Sequence, residues 1–185
     1  VHEHLKNGPK IIIGSAQVQN LIGLPYNKVL TAINLSSSSP EMIKSIVNET
    51  AKIMPNKNFT FSATYNASSE TVIEKLHSLK TELKNLLIDP YQEFIYSTYY
   101  VDLPKFPGSY IDIGMYLGIL KEMDYENNNL TYTIKRKIKA IQDELNYKII
   151  HKEVGTLYIN DSPSYYVEYF QGISIPENLA LLPSL

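Results

Sequence analysis

The sequence contains no cysteine. No disulfide framework, thiolate metal site or cysteine nucleophile can therefore exist within its 185 residues. Neither sign of charge is in excess: 17 Lys and Arg stand against 19 Asp and Glu, a formal net charge of -2. A nucleic-acid binder carries a basic face or a strongly basic total, so nucleic acid is not the expected partner. No apolar run approaches the ~20 residues of a membrane-spanning helix. The longest, such as Ile11-Ile12-Ile13, are strand-sized. No secretory signal is spelled by the polar start Val1-His2-Glu3-His4. The chain opens without methionine and reads as a fragment, a processed product or a trimmed chain, which leaves room for a targeting signal upstream.

Catalytic spellings are missing as well. There is no Gly-x-Ser-x-Gly elbow and no glycine-rich phosphate loop. Gly172-Ile173-Ser174-Ile175-Pro176 ends in the wrong residue for an elbow, and Gly14-Ser15 has no His-Asp pair marked as its partner. His2 and His4 lack the HExxH spacing of a zinc site and read as an exposed helix end. His77 lies off the apolar stripe of its segment and reads as a surface residue. His151, after Ile149-Ile150, reads as a cation at a helix C-terminus. Lys135-Arg136-Lys137 with Lys139 reads as a solvated helix face. No cofactor is called for.

What is present is an ordinary globular composition, 44% hydrophobic and 19% charged, in a chain long enough for one domain over residues 1–185. Lys10–Ser15 reads as a strand buried on both faces, in the manner of a parallel sheet. Pro25-Tyr26 opens a helix through Val29, Leu30 and Ile33. Ser39-Pro40-Glu41 starts another, with Met42, Ile43, Ile46 and Val47 on one face and Pro55 as its stop. Phe59, Phe61, Ala63 and Tyr65 alternate with Thr60, Ser62 and Thr64, which predicts a half-buried strand. Val72, Ile73, Leu76, Leu79, Leu83 and Leu86 give the strongest helical period, ended by Asp89-Pro90. Tyr91–Tyr100 is aromatic and fits either state. Ile111–Met123 reads as a helix, Asn127–Asn129 as a loop, and Ile134–Ile149 as a long helix. Thr156–Ile159 and Tyr166–Ile175 read as strands. The class is α/β.

Several of these segments, in this order, resemble the clostripain family of cysteine peptidases. Val1-His2-Glu3-His4-Leu5 is similar to the family's V-A-Y-E-L helix, and Ile11–Ser15 to a strand ending in a small pair. Gly23-Leu24-Pro25-Tyr26-Asn27-Lys28-Val29-Leu30 follows its G-[WF]-P-Y-x-x-[IV]-L stretch. Ser39–Val47, Thr60-Phe61-Ser62-Ala63, Tyr100-Val101-Asp102-Leu103 with Phe106, and Gly172-Ile173-Ser174-Ile175 continue the series. The resemblance covers nearly the whole chain. It implies a caspase-like three-layer sandwich, a mostly parallel sheet with helices on both faces and its first strands upstream of Val1. It further implies a bacterial cysteine endopeptidase with a His-Cys dyad, also upstream, on an extra segment or a companion chain. A peptide or protein substrate and an extracytoplasmic location follow, with no membrane span and no nucleic acid. No residue here is carried over as catalytic.

What carries over is one wall of the substrate pocket: Gly14, Ser15, Ala16, Gln17, Pro25 and Tyr26. Basic-specific members ring that pocket with acids. Ser15–Ile22 has no carboxylate, which opens a second reading, a non-catalytic homologue that binds peptide or protein. A third, a tyrosine-rich carbohydrate or adhesion module, predicts a β-rich sandwich and conflicts with the two long helical periods.

Overall fold

The computed structural model describes residues 9–15, 25–35, 38–53, 59–66, 70–101, 103, 105–106, 110–123, 128–155, 158–159, 162–163 and 168–177. The expected helix tail at 1–5, the loop 17–24, Pro55, Asp102, Tyr165 and Tyr166 lie outside them.

The elements run β1 (Ile11–Gly14), α1 (Tyr26–Leu35), α2 (Ser39–Lys52), β2 (Thr60–Tyr65), α3 (Glu70–Leu86) and α4 (Pro90–Val101). Then follow β3 (Lys105–Phe106), β4 (Tyr110–Asp112), α5 (Ile113–Glu122), α6 (Asn128–Lys148) and β5 (Ile149–Val154). The chain closes with β6 (Tyr158–Ile159), β7 (Ser162–Pro163) and β8 (Ser174–Pro176). Strands and helices are mixed, and the strands form small sheets in the orders β1-β2-β5, β3-β4-β8 and β6-β7.

The mostly parallel sheet is not found: every described pairing is antiparallel. A continuous apolar run such as Ile11-Ile12-Ile13 reports that both faces of a strand are covered, and carries no information on direction. The first sheet is covered on both faces. Phe61 and Ala63 of β2 pack with Ile43 and Val47 of α2. Thr60, Ser62 and Thr64, which the alternation places on the opposite face, are buried as well. The strand predicted to be half-buried is thus buried on both sides, with Tyr65 exposed at its end. This falls short of a complete three-layer sandwich among the described residues.

The larger core lies between α3, α5 and α6. Val72, Leu76, Leu79, Leu83 and Leu86 bury one face of α3, as their spacing predicts, and Ile134, Ile138, Ile141 and Leu145 do the same on α6. Ion pairs Lys75–Glu144 and Lys137–Glu82, both at 3.1 Å, fix the two helices antiparallel, since the start of α3 meets the end of α6. Lys137 of the basic run is spent on this interface, while Lys135, Arg136 and Lys139 face solvent. His77 is exposed, as read. Every residue from Ile113 to Leu120 is buried, so α5 is apolar all round and forms the centre of the core.

Several boundaries differ from the sequence reading for identifiable reasons. Asp89-Pro90 does not merely end α3; it starts α4. Asp89 Oδ1 accepts from the Tyr91 and Gln92 amides at 2.8 and 3.4 Å, and proline is tolerated in a first turn. The ambiguous Tyr91–Tyr100 stretch is therefore helical. Tyr96 and Tyr100, one turn apart, are buried and stack at 5.8 Å, so these tyrosines pack rather than display a surface. The α2 cap position is Ser38, not Ser39, and its side chain makes no capping bond. Asn128 opens α6 inside the expected loop. That helix stops at Lys148, and Ile149 onward is strand, so His151 is a strand residue and not a helix-end cation. Of the expected strand 166–175, residues 168–175 are described, and among these only those of β8 form a strand.

Replacing Leu83, fully buried between α3 and the core, with Ala should cost about 2–5 kcal/mol in urea unfolding. Leu35, 80% exposed on α1, should tolerate the same change within about 0.5 kcal/mol. Equal costs at the two positions would contradict this placement of the core.

Candidate functional site

Gly14 ends β1 and pairs with Ser62 of β2. Among the described residues, a Cβ added there would meet nothing within 4 Å. Ser15 is half-buried, with its Oγ 3.2 Å from Thr60 Oγ1. A half-buried hydroxyl just past the end of β1 thus meets a buried one on β2. Ala16 and Gln17 lie outside the described residues. Pro25 accepts the Val29 amide at 2.9 Å and so starts α1. Tyr26, its first residue, is 69% exposed. The helix packs on α2, and its Leu30 and Ile33 are also exposed.

The face of the first sheet behind Gly14 is held by a strap, residues 169–173, and by one carboxylate that sequence reasoning missed. Asp112 is the last residue of β4 and the N-cap of α5, with no solvent exposure. Its Oδ1 accepts from the Met115 amide at 3.1 Å, which caps the helix, and from the Gln171 amide at 3.0 Å. Its Oδ2 accepts from the Gly172 amide at 2.7 Å. Gly172 has φ +74°, and a Cβ there would lie 2.3 Å from Ser62 Cβ, so both backbone and space demand glycine. The Ser62 hydroxyl in turn donates to the Gly172 carbonyl at 3.0 Å. Lys152, opposite Ser62 on β5, donates through Nζ to the Phe170 carbonyl. The strap fits because α5 is bare beneath it. A Cβ on Gly114 would lie 2.1 Å from the Tyr169 carbonyl, and one on Gly118 2.4 Å from the Tyr169 ring. Tyr169 is tied at its tip to Glu122, at 2.7 Å.

The signal in the sequence was there. A lone Asp in Ile111-Asp112-Ile113, within an otherwise apolar run, is tolerated only where its oxygens meet backbone donors. Tyr110-Ile111-Asp112-Ile113 also repeats the spelling of Tyr100-Val101-Asp102-Leu103 ten residues on. Reading 111–123 as one helix hid the strand-to-helix switch that places Asp112.

His151 Nε2 lies 2.7 Å from Asn48 Oδ1 and 3.4 Å from Glu153. It occupies the sheet face toward α2, opposite to Ser62 and Lys152, and so does not join the hydroxyl pair. Among the described residues no group of three or more His, Cys, Asp or Glu is arranged to hold a metal ion. No helix there is long and apolar enough to cross a membrane. The described part of the site therefore offers hydroxyls and a buried brace, with no nucleophile–base pair.

The fold is similar to that of a clostripain from Bacteroides thetaiotaomicron ATCC 29148, solved in complex with the peptide inhibitor BTN-VLTK-AOMK. The likeness has a TM-score of 0.50 and 17% sequence identity, over 95% of this chain and 71% of that one. No protein-family model matches the sequence, and no curated protein matches it. At this identity the likeness establishes a shared fold.

Burial pushes the Asp112 carboxyl up from its usual 3.8 to about 6, while the amides of Gln171, Met115, Gly172 and Gly114 pull it down. Lys152, the charged group facing it from β5, is itself held below the usual lysine value, by burial first and against the pull of Asp112. A folded value above the unfolded one means that the native state holds the proton more tightly. The contribution of Asp112 to stability is then fully present below about pH 4 and is lost as pH rises through about 6. Relative to an Asp112→Asn variant, the wild type should lose up to roughly 3 kcal/mol between pH 4 and 7 in urea unfolding. Parallel pH profiles would show that Asp112 does not titrate in this range.

Proposed function

We propose that this chain is the C-terminal part of a clostripain-like cysteine endopeptidase domain and supplies one wall of its substrate pocket. The observation that carries the reading is the likeness of fold, over 95% of the chain, to a clostripain solved with a peptide inhibitor. The resemblance assigns Gly14 and Ser15 to the wall, and the Ser15 hydroxyl lies 3.2 Å from that of Thr60 on the neighbouring strand. With no cysteine among the 185 residues, the nucleophile and its histidine are supplied by residues outside them, on an upstream segment or a companion chain. In that chemistry the imidazole takes the thiol proton and the thiolate attacks the scissile carbonyl. The proton then goes to the leaving amine, and water hydrolyses the acyl-enzyme. Placement outside the cytoplasm belongs to the same proposal.

A second reading has its own support. Ser15–Ile22 contains no carboxylate to pair with a basic side chain, and the chain holds no nucleophile. On that reading the fold is retained for binding peptides without cleaving them.

The test is made on the full-length protein encoded by the reading frame, with a library of biotinylated tetrapeptides varied at the C-terminal residue and matching fluorogenic substrates. Cleavage that is abolished by iodoacetamide supports the peptidase. Binding without cleavage establishes the second reading. Neither binding nor cleavage would sink both.

A further inference from the structure

We propose that Asp112 is a positioning residue for the Gly14–Ser15 wall, acting through the strap 169–173. The proposal rests on the reading of that strand end as a substrate wall, and extends it to how the wall is held in place.

The coupling is a short chain of bonds. Asp112 Oδ2 holds the Gly172 amide at 2.7 Å, and the carbonyl of the same glycine receives the Ser62 hydroxyl at 3.0 Å. Ser62 is the register partner of Gly14, and Thr60, two residues earlier on the same strand face, meets the Ser15 hydroxyl at 3.2 Å. The wall is thus two hydrogen bonds and one strand pairing from a carboxylate with no access to water. Two features show that the strap is seated rather than draped. Gly114 and Gly118 leave room on α5 that any side chain would fill, and the positive φ of Gly172 turns both its amide and its carbonyl to their partners. Lys152 holds the neighbouring Phe170 carbonyl from the strand beside Ser62, so the strap is pinned from the core and from the sheet together.

The geometry separates this role from the helix cap. Oδ1 serves both Met115 and Gln171, whereas Oδ2 serves Gly172. An Asp112→Asn side chain that keeps its oxygen at Oδ1 retains the first two bonds and turns an amide NH2 toward the Gly172 N–H, donor against donor. Ser62→Ala cuts the same chain from the sheet side and leaves the buried carboxylate intact.

The experiment is amide hydrogen exchange by NMR on the full-length protein and both variants, with affinity for the tightest-binding member of the tetrapeptide library measured alongside. In Asp112→Asn the Gly172 amide should exchange about tenfold faster or more while Met115 keeps its protection. The Gly14 and Ser15 amide signals should shift, and peptide affinity should fall at least about threefold. Ser62→Ala should reproduce the shifts at Gly14 and Ser15 with Met115 again unchanged. Unchanged exchange at Gly172 in Asp112→Asn overturns the clamp. Faster exchange there with still signals at Gly14 and Ser15 in both variants overturns the coupling to the wall. If the unmutated protein binds no peptide, the wall reading itself falls, and the exchange data still decide the clamp because they need no ligand.

Discussion

Four backbone amides converge on one carboxylate that water does not reach, and the union of the two larger sheets depends on that convergence. Asp112 ends a strand of one sheet and starts the most buried helix of the core. Its donors come from its own helix and from the strap, and the strap is bonded to Ser62 of the other sheet. An uncompensated carboxylate in such a place costs several kcal/mol. Charge-assisted bonds from oriented N–H groups offset that cost, and the ammonium of Lys152 adds to them. The same bonds leave the chain few alternatives. Residues 170–172 must cross the sheet face behind Ser62, Gly172 must be glycine, and α5 must be bare at Gly114 and Gly118.

Long amphipathic helices were legible in the sequence because one face of each buries in a single core. The leucine stripe of α3 and the isoleucine stripe of α6 are spelled by their spacing. Strand direction was not legible. The apolar triplet of β1 reports coverage of two faces, and an antiparallel sheet with α2 on one side and buried hydroxyls on the other meets that requirement as well as a parallel one does. Where the chain changes state without a loop, periodicity averages over the change. This happens at Asp112–Ile113 and at Lys148–Ile149, and at these junctions Asp112 and His151 were misplaced or missed. Asp89-Pro90 shows a related limit, since one dipeptide closes a helix and caps the next.

Of the six residues expected in a pocket wall, Gly14 and Ser15 lie together at a strand end, and Pro25 and Tyr26 lie at the start of a helix that packs on α2. Their common membership in a site was legible only through resemblance, because a hydroxyl, a glycine and an exposed tyrosine have no chemistry peculiar to catalysis. The likeness to a clostripain is one of fold, and a fold of this kind is compatible with more than one function. Chemistry is decided by the groups that face a ligand, and not by the fold that carries them.

The spacing of the brace along the chain also bears on how the protein is made. Asp112 precedes its partner Gly172 by 60 residues, and all of α6 and β5 lies between them. During synthesis α5 leaves the ribosome while the carboxylate at its head is still hydrated and its glycine face is empty. The two sheets therefore join late, after the strand that bears Lys152 has been added and the strap has left the ribosome. Until then the nascent chain leaves Gly114 and Gly118 without the strap that covers them.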